Sequence, residues 1–216
     1  MKYIVPFLLA LAPASPIVAH PHIFIDTGLE MVFDPQGQLT HVRVTWQYDE
    51  FYSLLVTEDM GLDADFDGVL TEAENTKLTG FDMQWVEGYN GDLEIMSGTQ
   101  VLALSGPTQT SAEFAQGRIT TTHLRSILSP AATSEPIVIK PYDPTYYTAY
   151  DVTRPLVITG SDICRARVKM PDINAGLQAL RDQLNTLGVD TYPEDVGLPN
   201  IGAQLASDVI VTCSVS

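Results

Sequence analysis

HVRVTWQY, residues 41 to 48, alternates without a break. Val42, Val44, Trp46 and Tyr48 fall on one face of an extended chain; His41, Arg43, Thr45 and Gln47 fall on the other. A period of two over eight residues marks a strand with one buried face. Upstream, the segment from His22 to Phe33 alternates too and ends at Asp34-Pro35-Gln36-Gly37, a turn composition. Together the two runs predict an antiparallel hairpin.

Downstream, from about residue 91 to 169, the texture repeats in short runs. LEIM, VLAL, EFAQ, RITTTHLRSIL, PIVIK, YYTAYDV, LVITG and CRARVKM are separated by Gly, Pro, Asn and Asp. Such spacing predicts an antiparallel sheet or sandwich. The stretch between the hairpin and these runs is of another kind. DEFYSLLVTEDM, 49 to 60, places Phe51, Leu54 and Leu55 at helical spacing. EAENTKLTGFDMQWVEGY, 72 to 89, predicts a second helix through Leu78, Phe81, Trp85 and Val86. INAGLQALRDQL, 173 to 184, reads as a C-terminal helix, and LASDVIVTCSV as a last helix-to-strand passage. The expected fold is mainly β, of the α+β kind, with a helical insertion at about 49–89.

Composition bounds the function. The chain has 216 residues, 45% hydrophobic and 18% charged, which is globular in character. Its formal charge of −16 repels nucleic-acid phosphates and anionic lipid, so nucleic acid is not an expected partner. Residues 1–19 read as a signal peptide, with Lys2 ahead of the apolar run YIVPFLLALA. Cleavage after Ala14 would leave Ser15 first; cleavage after Ala19 would leave His20 first. Residues 20–216 are then expected to form one periplasmic domain that is not itself embedded in a membrane. In an oxidising compartment Cys164 and Cys213 are expected to pair as a disulfide.

Asp63-Ala64-Asp65-Phe66-Asp67-Gly68-Val69-Leu70-Thr71-Glu72-Ala73-Glu74 matches the EF-hand loop pattern at every defined position. A hard cation wants oxygen ligands. Asp63, Asp65 and Asp67 would offer carboxylates, Val69 its carbonyl, and Thr71 a hydroxyl or a bound water. Glu74 would bind with both oxygens, and Gly68 would permit the sharp turn. The expected ion is Ca²⁺ in a structural role, with affinity on the order of 10⁻⁴ to 10⁻³ M. An acidic turn without metal is the plain alternative.

The chain has four histidines: His20, His22, His41 and His123. If processing leaves His20 first, its α-amine and ring both become available to a metal. His20, His22 and His123 are the candidate ligands for Zn²⁺ or Ni²⁺. Pro21 has no backbone N–H, which rules out a square-planar site built on the second and third amides. For His41, at the start of a strand, the plain reading is a satisfied or solvent-facing histidine.

HPHIFID, WQYDEFYS, the DADFDG loop and YDPTYY, in that order, resemble the DUF1007 family of exported bacterial proteins. Members are often described as periplasmic components of an uncharacterised ABC-type transport system. The resemblance runs from His20 to about Cys164. It implies transition-metal handling beside a NicO-type nickel/cobalt permease in the inner membrane, with zinc acquisition in some members. The family's leading histidine motif falls on His20 and His22, with Asp26 close behind. YDPTYY falls on Tyr142 to Tyr147 and brings no role with it; a turn at Asp143-Pro144, with Tyr146 and Tyr147 on opposite faces of a strand, is the plain reading. This chain lacks a His-rich stretch and the βαβ pattern of a two-lobed transport receptor.

No Ser/His/Asp or Cys/His arrangement and no G-x-S-x-G stands out, so the chain is not expected to be an enzyme. The expected function is a periplasmic metal-binding accessory of a zinc or nickel/cobalt transport system, stabilised by calcium. A calcium-stabilised interaction module without a transition metal is the alternative.

Overall fold

The computed structural model describes residues 21–131, 135–176, 178 and 201–214. The leader 1–19, His20 and most of the expected helix 173–184 lie outside them; residues 173–176 are helical.

The hairpin forms as its alternation requires. Strands β1 (Ile23–Phe33) and β2 (Leu39–Tyr48) pair antiparallel, with Thr27 opposite Trp46 and Leu29 opposite Val44. Val42, Val44, Trp46 and Tyr48 are all buried. The turn is held by Asp34, whose Oδ1 accepts hydrogen bonds from the N–H groups of Gln36 and Gln38 at 3.0 and 2.8 Å.

Two sheets follow. The remaining strands are β3 (Leu93–Ser97), β4 (Gln100–Val101), β5 (Thr108–Ala115), β6 (Arg118–Ala131), β7 (Ile137–Pro141), β8 (Thr148–Asp151), β9 (Leu156–Thr159), β10 (Cys164–Lys169) and β11 (Asp208–Cys213). The first sheet runs β5-β6-β2-β1-β8, with β9 also on β1; the second runs β10-β11-β7-β3-β4. Buried side chains from both sheets meet in one apolar core. Cys164 and Cys213 face each other across β10 and β11 and are joined by a disulfide.

Four expectations need correction. The first sheet is mixed, because β8 and β9 run parallel to β1, one after the other along the same edge. Parallel pairing needs a long-range crossover, and strand periodicity carries no information about it. The second helix stops at Leu78: α2 spans Glu72–Leu78, and Thr79 and Gly80 (φ +82°) end it, so 79–92 is a run of turns. Of YYTAYDV only 148–151 is strand; Tyr146 and Tyr147 lie in a bend, with Tyr146 at φ +59°. Near the C-terminus, a short α3 (Ile201–Leu205) precedes β11, earlier than the pattern suggested.

Helix α1 (Glu50–Asp59) sits between the hairpin and the loop. Asp49 caps it: one carboxylate oxygen accepts from Tyr52 N–H at 2.8 Å, the other from Phe24 N–H at 2.9 Å. The helix turns Ser53, Val56 and Thr57 inward. Ser53 Oγ accepts the hydrogen bond of the Ile119 N–H at 2.9 Å, a buried donor that needs a partner. That bond fixes which face of α1 meets the sheet, and it leaves Phe51, Leu54 and Leu55 exposed.

Candidate functional site

The loop between α1 and α2 gathers its acids. Asp63, Asp65 and Asp67 each present a carboxylate oxygen, and these oxygens lie within 4.8 Å of one another. Oxygens sharing one Ca²⁺ at about 2.3–2.6 Å from the ion are at most about 5 Å apart, so the spacing fits. Local geometry explains the clustering. Asp63 adopts φ +50° and Gly68 φ +77°, a conformation that costs glycine little. The Gly68 N–H donates to both oxygens of Asp63 at 3.2 Å, and Val69 N–H donates to Asp67 at 2.8 Å.

Glu74 stands apart from this group. Its Oε1 accepts from Asp63 N–H at 3.0 Å, and its Oε2 from the N–H and hydroxyl of Thr71 at 2.9 and 2.7 Å. Thr71 accepts from Glu74 N–H in return, completing a capping box at the start of α2. The Thr71 bonds hold the Glu74 carboxyl below the usual range. To bind a cation Glu74 would exchange these donors for the ion. The same residue thus closes the loop onto itself and stands where an EF-hand has its bidentate ligand.

Of the candidate transition-metal ligands, the two that are described, His22 and His123, are not brought together. His22 is exposed at the start of β1, its ring 4.8 Å from that of Tyr147. His123 is fully buried on β6, opposite Val44, which itself faces Leu29. Seven residues of strand separate His22 from that row, roughly 23 Å. A zinc ion about 2 Å from each nitrogen cannot join them. His41 is half-buried with Nδ1 3.0 Å from Thr40 Oγ1. Asp26, next to the histidine motif, is engaged elsewhere: Arg118 donates to one oxygen at 2.8 Å and Thr153 to the other at 2.6 Å. Partial burial opposes its charge, yet these hydrogen bonds and the Arg118 charge hold its carboxyl below the usual range.

His123 belongs instead to a polar cluster inside the sheet that sequence reasoning missed. Its ring lies 4.7 Å from Trp46 and 5.5 Å from Trp85, edge-on to both. Neither ring nitrogen has a hydrogen-bond partner. Burial, and secondarily the charges of Arg125 and Arg43, push its pKa down to about 3, so the ring is neutral. One row along, Tyr48 and Thr121 both donate to Asp82 Oδ2, at 2.8 and 2.7 Å. Burial raises the Asp82 carboxyl despite these bonds. Arg125, also buried, lies with its guanidinium 4.7 Å over Trp85 and donates to the carbonyls of Ser105 and Asn90. The signal was present in the sequence: Ile119, Thr121, His123, Arg125 and Ile127 alternate, so a buried Ile119 implies a buried His123.

The YDPTYY segment is a turn. Asp143 accepts from the N–H and hydroxyl of Thr145 at 2.8 and 2.9 Å and from Thr148 N–H at 3.0 Å. It packs on α3 so closely that a Cβ on Gly202 would stand 1.7 Å from the Asp143 carbonyl oxygen. The cavity beside it, of about 20 Å³, has room for one water.

Among the described residues, no helix is long and apolar enough to cross a membrane. A family model described as a protein of unknown function, DUF1007, matches residues 5–213. No curated protein matches the sequence.

Proposed function

The chain belongs to the DUF1007 family, and from that premise we propose that it is a metal-binding accessory protein of a transition-metal transport system. It works in the periplasm and is stabilised by a calcium ion in the 63–74 loop. The observation that carries the calcium part is the set of three carboxylates within 4.8 Å of one another on a loop of EF-hand spacing. Calcium there ties α1 to α2 and replaces repulsion among like charges with attraction to a shared cation. The transported ion, Zn²⁺ or Ni²⁺, is the cargo, taken at the N-terminal histidines. His22 is exposed and next to Tyr147, which suits a site that must both load and unload. The resemblance to the family implies a NicO-type permease as the recipient. This role is binding and transfer, with no catalytic turnover.

A second reading, a calcium-stabilised interaction module without a transition metal, draws support from the same geometry. His123 is withdrawn into the core and Asp26 is committed to Arg118 and Thr153, so the ligand set at His20 and His22 must be completed from the α-amine or from another molecule. Native mass spectrometry of the exported protein, supplied with Ca²⁺ and Zn²⁺, separates the two. One calcium and one zinc, with the zinc lost in His22→Ala and retained in His123→Leu, supports the accessory role. Calcium alone establishes the interaction module in its place. Loss of calcium binding in Asp65→Ala checks the loop separately.

A further inference from the structure

Helix α1 is inside out. Its inward face is Ser53, Val56 and Thr57, while Phe51, Leu54 and Leu55 remain 68%, 50% and 40% exposed. Those three sit at i, i+3 and i+4, the spacing of an apolar helix stripe that normally faces a core. The orientation is not loose packing. The Asp49 cap and the hydrogen bond from Ile119 N–H to Ser53 Oγ both fix it. Turning the helix to bury the stripe would leave the Ile119 donor unpaired. Phe24, 49% exposed, lies beside the N-terminal end of the helix, because its N–H and carbonyl both bond to Asp49. An exposed apolar helix stripe of this kind marks an interaction site.

The surrounding charge says what covers it. From Val44 to Thr76 the chain has nine acidic residues and no lysine or arginine. Glu58 and Asp59 lie on α1 itself and are exposed, while Glu50 already has Arg118 Nε 3.8 Å from its carboxylate. A second copy would bring the same acidic rim against this one, and an anionic bilayer would repel it. The complement is a protein surface with an apolar groove rimmed by lysine or arginine. We propose that α1 docks in such a groove through Phe51, Leu54 and Leu55, with Phe24 at one end and Glu58 and Asp59 meeting the basic rim. This is the helix-in-groove mode, in which i, i+3 and i+4 side chains are the anchors. The surface is independent of whether His22 binds metal, although both lie near the start of β1.

Site-specific photo-crosslinking in the native cell envelope tests it, with the full chain carrying benzoylphenylalanine in place of Phe51. The control carries it in place of Leu128, which is 61% exposed on β6. The proposal expects an adduct from position 51, absent from position 128, to another protein. The cross-linked segment, sequenced by mass spectrometry, should be apolar and flanked by lysine or arginine. Leu54→Glu should cut the yield at least about tenfold, as for an interface anchor, while the melting temperature stays unchanged because Leu54 is half in solvent. Cross-links to a second copy, to lipid or to an acidic segment would each overturn the proposal. So would equal yields from the two positions, or a yield indifferent to Leu54→Glu.

Discussion

The fully buried, unpartnered ring of His123 makes stability depend on pH in a way that can be calculated. The unfolded chain takes up a proton on this histidine near its ordinary pKa of about 6.5, whereas the folded protein holds the pKa down to about 3. A histidine depressed in this way contributes its full stability above about pH 6.5. That contribution is lost as pH falls from there toward 3, because the unfolded state binds the proton and the folded state does not. Between pH 7 and pH 5 the loss from this residue alone is about 2 kcal/mol. Asp82 and Asp92, whose carboxyls burial raises, act in the opposite direction and gain stability as pH falls, so the wild-type profile alone is not diagnostic. The difference between wild type and His123→Leu removes their share. Leu is close to His in volume and needs no hydrogen bond in that cage. Urea unfolding followed by tryptophan fluorescence is the assay, since Trp46 and Trp85 flank the ring. His123→Leu should lose about 2 kcal/mol less than wild type between pH 7 and pH 5. At an m-value near 2 kcal/mol/M that is a relative midpoint shift of about 1 M urea. Parallel profiles, within about 0.5 kcal/mol, would refute the reasoning and show that the ring titrates as freely when folded as when unfolded.

Other outcomes follow from single contacts. With an affinity of 10⁻⁴ to 10⁻³ M, 10 mM calcium should stabilise the fold by about 1.4 to 2.7 kcal/mol and raise the melting temperature by about 3 to 10 °C; differential scanning calorimetry should find no rise in Asp63→Ala/Asp65→Ala. Reducing the Cys164–Cys213 disulfide, which closes a sequence separation of 49 residues, should cost up to about 4 kcal/mol on chain-entropy grounds, read as a lower urea midpoint in dithiothreitol. Ser53→Ala leaves the buried Ile119 N–H without its acceptor and should cost about 1 to 3 kcal/mol, with faster hydrogen exchange at the Ile119 amide. Gly202→Ala, which drives a Cβ into the Asp143 carbonyl, should lower the melting temperature by several degrees, by about 2 kcal/mol or more.

The strands of this protein were largely legible in advance, because each depends on local alternation. The β1–β2 hairpin needs only residues 22–48: two alternating runs and an Asp-Pro-Gln-Gly turn whose carboxylate holds the backbone. The acidic loop is equally local, since twelve consecutive residues set both the ligand spacing and the left-handed glycine at position 68. The cysteine pair needed one further fact, the antiparallel β10–β11 register, which places Cys164 opposite Cys213.

What the tertiary structure alone decided lies between elements. Chain periodicity says that Phe51, Leu54 and Leu55 share a helix face. Which face turns inward was settled by a donor 66 residues away, the Ile119 N–H, whose hydrogen bond Ser53 accepts. The sequence offered His22 and His123 as one ligand set, yet the register places them far apart, because a side chain's address in a sheet depends on pairing as well as on chemistry. The parallel placement of β8 and β9 along β1 likewise depends on crossovers between distant segments. Local composition fixes what each segment can become. The pairing of buried polar groups across the core decides how the segments face one another, because an unpaired donor costs more than an exposed leucine.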